Sequence, residues 1–163
     1  MLATVVAQEP SSGWVLLSYR VPREPSTPRI AIWRRLKDLG VVQVGDGLVA
    51  LPERDETREQ LEWVAAQVTE ADGDAIVWTA DPTMRADSTR LIDQQRAARN
   101  DEYDALIADI SAGSPDDART VARWRRELRR IERRDYFRAE RHDAAQTAVA
   151  GLTTAGQSAG RVR

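Results

Sequence analysis

The sequence predicts an α+β fold: a ferredoxin-like βαββαβ domain followed by a C-terminal antiparallel helical hairpin. Three observations predict it. Short apolar runs and amphipathic helical stretches follow one another as strand, helix, strand, strand, helix, strand over residues 13–82. The triplet Gly45-Asp46-Gly47 lies between two of the apolar runs, a tight hairpin signal that makes the central strands antiparallel. Beyond residue 86 no strand-like run recurs, and apolar positions repeat at helical spacing. Two helices covering one face of a four-stranded antiparallel sheet satisfy this order.

Residues 1–12 lack periodicity and end in Pro10-Ser11-Ser12, so a flexible amino terminus is expected. Trp14 to Tyr19 is an apolar run rich in β-formers, and Pro22 closes it. Thr27 reads as an N-cap with Pro28 at the first helical position. Ile32, Leu36 and Leu39 then form a core stripe with Trp33 at its edge, and Gly40 supplies the stop. Val41–Val44 and Leu48–Leu51 make the hairpin, which Pro52 ends. Thr57 is expected to cap a second helix carrying Leu61, Val64, Ala65 and Val68, with Trp63 beside them. Asp72-Gly73-Asp74 stops it, and Ala75–Thr79 is the fourth strand before Asp81-Pro82.

The remainder reads as helix. Asp87 or Ser88 starts a helix in which Ile92, Gln95, Arg99, Tyr103, Leu106 and Ile110 share a stripe, and Gly113 ends it. Ser114-Pro115-Asp116-Asp117 combines a cap, a first-turn proline and two acids, a strong start signal. In the next helix Val121, Trp124, Leu128 and Ile131 repeat at coiled-coil spacing, which pairs it antiparallel with its predecessor. A last helix is expected from about Ala139 to Leu152. The domains are thus a flexible terminus (1–12), an α+β domain (13–82), a helical extension (86–152) and a disordered tail (153–163).

Composition removes several classes of chemistry. With no cysteine there is no disulfide framework, thiol nucleophile or thiolate metal site. No apolar run is long enough to span a membrane and the start lacks a signal-peptide pattern, so a cytoplasmic protein is expected. The formal charge of −2 hides an uneven distribution: an acidic middle, residues 53–117, beside a basic tail from residue 118. Such asymmetry fits either internal pairing or two partner surfaces. His142 is the sole histidine and lies among charged residues, and no Ser-His-Asp order, P-loop or His-rich zinc motif occurs. No catalytic residue, metal ligand or cofactor is therefore expected.

Three groups of residues remain as candidates. Arg20, Arg23 and Arg29, with the Ser26 and Thr27 hydroxyls, cluster in sequence where the first strand hands over to the first helix. Forked N–H donors and free backbone amides there suit a tetrahedral oxyanion. Arg119 to Arg141 holds ten arginines and four acids; Arg123, Arg126, Arg130, Arg133 and Arg134, near Trp124, Tyr136 and Phe137, are candidates for nucleic-acid contact. Arg99 and Asp135 lie on otherwise apolar stripes, and a buried charge must be paired. The simplest account is an internal Arg99–Asp135 ion pair; the alternative is a ligand cavity shared with Glu102 and Tyr103.

The string WVLLSYRVPREPSTPRIAIWRRLKDLG from Trp14 to Gly40, with VALP at Val49 to Pro52, resembles the amino-terminal domain of the ChrB chromate-resistance family. The likeness continues at Glu102-Tyr103, Arg123-Trp124 and Arg133-Asp135-Tyr136-Phe137; a looser one, in the Trp-Arg-Arg-Leu helix, is to PaaX-type repressors. The resemblance implies a regulatory or sensor role in resistance to chromate, a sulfate-like dianion, with DNA as a further partner and a homodimer as the assembly. A scaffold for protein interaction is the alternative. It also implies a second, carboxy-terminal domain in full-length members, which these 163 residues are expected to lack. Small CRISPR-associated nucleases share the expected topology but place a metal-binding aspartate at the end of the first strand. Here that position reads Ser18-Tyr19-Arg20.

Overall fold

The computed structural model describes residues 13–113 and 117–158, with side chains described through residue 152. The expected flexible terminus, the Ser114-Pro115-Asp116 part of the helix-start signal and the last five residues of the expected tail lie outside the described residues. The element order is β1 (Trp14–Arg20), α1 (Ser26–Leu39), β2 (Val42–Gly45), β3 (Leu48–Pro52), α2 (Asp55–Glu70), β4 (Asp74–Ala80), α3 (Arg85–Ala112), α4 (Ala118–Glu132) and α5 (His142–Ser158). The chain divides into two compact units, residues 1–91 and 92–163, and the division falls within α3.

In the first unit the four strands form one antiparallel sheet in the order β2-β3-β1-β4. Val15 pairs with Leu51 and Leu17 with Val49, so these four side chains share a face, and all are buried. Ile32, Leu36 and Leu39 of α1 and Leu61, Val64 and Val68 of α2 complete this core. Each such side chain contributes roughly 1.5–3 kcal/mol through burial. The alternate residues Ser18, Leu48, Ile76 and Trp78 point the other way, where Ile76 and Trp78 stay half exposed. Trp14, at the far end of β1, is covered instead, and its indole N–H donates to Ser88 Oγ at 3.2 Å.

Helix caps lie two residues earlier than the sequence expectation in α1 and three earlier in α2. Helix α1 begins at Ser26 with Pro25 as N-cap, so Pro28 is the third helical residue and Thr27 the second, not first residue and cap. A proline costs no hydrogen bond anywhere in the first turn, whose N–H groups have no intrahelical acceptor. Helix α2 begins at Asp55 with Arg54 as N-cap, and Thr57 sits inside its first turn. Its buried hydroxyl accepts from the Arg54 N–H at 3.0 Å and donates to the Pro52 carbonyl at 2.7 Å, tying the helix start to the end of β3. Gly40 ends α1 at φ 73°, a left-handed conformation that glycine adopts without strain.

The second unit is helical. Tyr103 and Leu106 of α3, Trp124, Leu128 and Ile131 of α4, Ala139, and Ala145 and Val149 of α5 form one buried cluster. Helix α5 therefore joins the core that the sequence assigns to α3 and α4. It also starts at His142 and runs to Ser158, three residues later and six residues further than the pattern suggests. Asp117 caps α4 by accepting from the Arg119 N–H at 3.0 Å.

Candidate functional site

The handover from β1 to α1 is the first candidate. Arg20 ends the strand, Arg23 lies in the connecting loop and Arg29 on the first turns of α1; all three are exposed. None of the three guanidiniums makes an ion pair or hydrogen bond among the described residues, and neither do the hydroxyls of Ser26 and Thr27. The helix end itself is unsatisfied: Pro25 provides no capping side chain, and the first turn holds no acid. Pro25 and Pro28 have no N–H, so Ser26 and Thr27 carry the free backbone donors at the positive end of the dipole. Uncompensated guanidinium charge and uncapped amides are what a small anion requires.

Beside this corner lies a cavity of about 370 Å³ lined by Tyr19, Val21, Arg29, Ile30, Trp33 and Gly47. Of the predicted anion-site residues only Arg29 lines it. The β2–β3 turn closes one side because the Tyr19 N–H donates to the Gly47 carbonyl at 2.7 Å. Gly47 has φ 67°, and a Cβ there would collide with the Tyr19 carbonyl, so only glycine fits. Burial raises the Tyr19 phenol above its ordinary pKa. Sequence reasoning missed Tyr19, Val21, Ile30, Trp33 and Gly47 as lining residues. Trp33, an aromatic set off the core stripe of α1, was the signal available.

The arginine-rich stretch of the second unit is more divided. Arg134 is a correction to the predicted nucleic-acid set: it is buried at 7% exposure and pairs with Glu102 at 2.9 Å, so it is unavailable to a phosphate. Arg123 is exposed but pairs with Asp109 at 3.0 Å, and Arg130 lies 3.7 Å from Glu127. The side chains of Arg126 and Arg133 are exposed with no ion pair or hydrogen bond among the described residues. Arg129 is likewise exposed, so 126, 129, 130 and 133 make a basic stripe opposite buried Trp124, Leu128 and Ile131.

Charged side chains of α3 and of the segment after α4 form two bonded sets. Glu102 bridges two guanidiniums, Arg99 at 3.1 Å and Arg134 at 2.9 Å. Arg99 also donates to the Arg134 carbonyl at 3.4 Å. Asp135 accepts from the Tyr103 hydroxyl at 3.0 Å and from the Ala139 N–H at 2.9 Å. The expected Arg99–Asp135 ion pair is corrected: Arg99 pairs with Glu102, while Asp135 bonds Tyr103 and Ala139. Burial lowers the Arg99 pKa, and Glu102 opposes that shift. Burial and the neighbouring Asp135 carboxylate hold the Tyr103 hydroxyl protonated well above the ordinary phenol range. Sequence reasoning set Glu102 beside Arg99 but missed it as the hub, because its partners come from positions 99 and 134. Among the described residues no helix is long and apolar enough to cross a membrane.

Comparison with known proteins gives a family. A family model described as "Protein ChrB, N-terminal" matches residues 29–116. Protein ChrB of Cupriavidus metallidurans is 31% identical over 108 residues, which cover 63% of this chain and 31% of that relative. The chain therefore spans about a third of the length of that relative. No solved structure matches significantly.

Proposed function

This chain belongs to the ChrB amino-terminal domain family, and from that premise we propose that it is a non-catalytic regulatory sensor domain of chromate resistance that binds an oxyanion at the β1–α1 corner. The observation that carries this reading is the set of three exposed guanidiniums, Arg20, Arg23 and Arg29, without protein partners beside an uncapped helix end. An anion held by Arg29 and the Ser26 and Thr27 amides neutralises the dipole end and steadies the first turn of α1. The β1α1β2β3α2β4 order and the sheet order β2-β3-β1-β4 support reading the first unit as ferredoxin-like, with the binding corner at one end of the sheet.

Calorimetric titration with chromate, sulfate and phosphate tests the proposal. Saturable heat with at least one of them, abolished by Arg29→Ala, is the expected result. No heat with any anion removes the sensor reading.

A transcriptional role adds DNA contact through the exposed stripe of Arg126, Arg129 and Arg133. A gel-shift series on DNA upstream of the chain's own operon, at several salt concentrations, checks it. Each arginine that contacts phosphate steepens the salt dependence by about 0.9 in log–log slope. DNA binding that chromate relieves supports the regulator. Absence of binding at any salt favours an interaction scaffold.

A further inference from the structure

The cavity beside the β1–α1 corner is larger and more apolar than an inorganic ion needs. Each oxygen of a tetrahedral oxyanion takes about a water's share of space, roughly 30 Å³, so such an ion fills about a third of the 370 Å³ present. Val21, Ile30 and Trp33 supply apolar wall, and Ile30 and Trp33 are left 43% and 54% exposed. A bare dianion gives up hydration against such walls and gains no hydrogen bond from them. An apolar body, by contrast, is stabilised there by its withdrawal from water.

Charge and ring are set side by side. Arg29, Trp33 and Lys37 follow one another at four-residue spacing, so they stand in a row along one face of α1. Arg29 is the charged residue of the lining, and its guanidinium makes no ion pair among the described residues. The Lys37 ammonium lies 4.8 Å from the Trp33 ring centre and takes one face of the indole. Half the ring still meets water, which leaves area for a second flat group. Gly47 adds backbone and no side chain to the lining, because a Cβ there would collide with the Tyr19 carbonyl.

We propose that this cavity takes an aryl oxyanion: a flat aromatic body packed against Trp33 and Ile30, bearing a phosphate, sulfate or carboxylate group held by Arg29. The inference rests on the anion reading of this corner and adds the body of the ligand to it. A neutral aromatic would leave the Arg29 charge unmatched. A bare ion would leave the aromatic and aliphatic wall wet. A molecule that joins ring to anion satisfies both.

Calorimetric titration of the full chain with methyl phosphate and with phenyl phosphate tests the inference, since the two esters share the anionic group and differ in the ring. Phenyl phosphate is expected to bind about tenfold more tightly or better. Trp33→Ala removes that advantage and leaves methyl phosphate unchanged, Trp33→Phe retains most of it, and Arg29→Ala weakens both esters by about tenfold or more. Both positions are exposed, and circular dichroism checks that each variant is folded. As an independent readout, tryptophan emission of the wild-type chain responds to phenyl phosphate, and Trp33→Phe loses that response. Equal affinity for the two esters, both lost in Arg29→Ala, overturns this inference and leaves the anion site standing. A preference for phenyl phosphate that Trp33→Ala does not reduce also overturns it, because the ring is then bound elsewhere. Absence of heat with either ester and with inorganic sulfate, phosphate and chromate removes the anion reading together with it.

Discussion

The arginines of the two units have opposite fates, and the contrast shows what makes a guanidinium structural or functional. In the second unit Arg99 and Arg134 converge on Glu102 and are buried, at 6% and 7% exposure. At the β1–α1 corner Arg20, Arg23 and Arg29 are exposed, and Glu24 is the one acid between positions 20 and 29. Residue type is the same throughout. What differs is whether the fold brings a carboxylate within reach. Where it does, charge ties helix to helix; where it does not, the charge remains available to a ligand.

Breaking the buried set should produce the largest effect. Glu102→Leu leaves Arg99 and Arg134 without their shared carboxylate, and urea unfolding should show a loss of roughly 3 kcal/mol. Half that loss, about 1.5 kcal/mol, is expected for Tyr103→Phe, which removes the hydrogen bond to the Asp135 carboxylate.

The same tyrosine carries a pH dependence. Its folded pKa lies above the unfolded value of 10.0, so the native state holds the proton more tightly. The stabilisation is present below that pH and is lost as pH rises beyond it. Alkaline melting curves should show wild-type stability falling above that point, with a shallower fall in Tyr103→Phe.

The corner should behave in reverse. Arg20→Ala, Arg23→Ala and Arg29→Ala should each change stability by less than about 0.5 kcal/mol, as exposed side chains without partners do. Anion affinity is where their loss should register, most strongly for Arg29 because it lines the cavity beside Tyr19 and Trp33. If Arg29→Ala destabilised the fold as much as Glu102→Leu, the contrast between the two regions would fail.

Much of this organisation was legible in the sequence. The core stripes Ile32, Leu36 and Leu39, and Leu61, Val64 and Val68, follow from helical spacing, and Gly40 stops α1 as its position implies. Caps were legible only approximately, because Thr27 and Thr57 suit either a cap or a first turn. The structure resolves that choice for Thr57 through its contact with Pro52, a residue of the preceding strand.

Pairing across distance was less accessible. Arg134 sits in a run of arginines that looks uniformly solvated, and nothing local separates it from Arg133. Only the turn that follows α4 sends one to Glu102 on α3 and leaves the other exposed. The cavity was hidden for a similar reason: Tyr19 and Gly47 meet through strand pairing and turn geometry, neither of which a linear pattern displays.

Nitrogen-edited NMR of the arginine Nε–H groups and backbone amides during chromate titration tests the central claim most directly. Saturable shifts confined to Arg20, Arg23 and Arg29 and to the Ser26 and Thr27 amides are the predicted result. Shifts absent there, or confined to the arginines of α4, would contradict it.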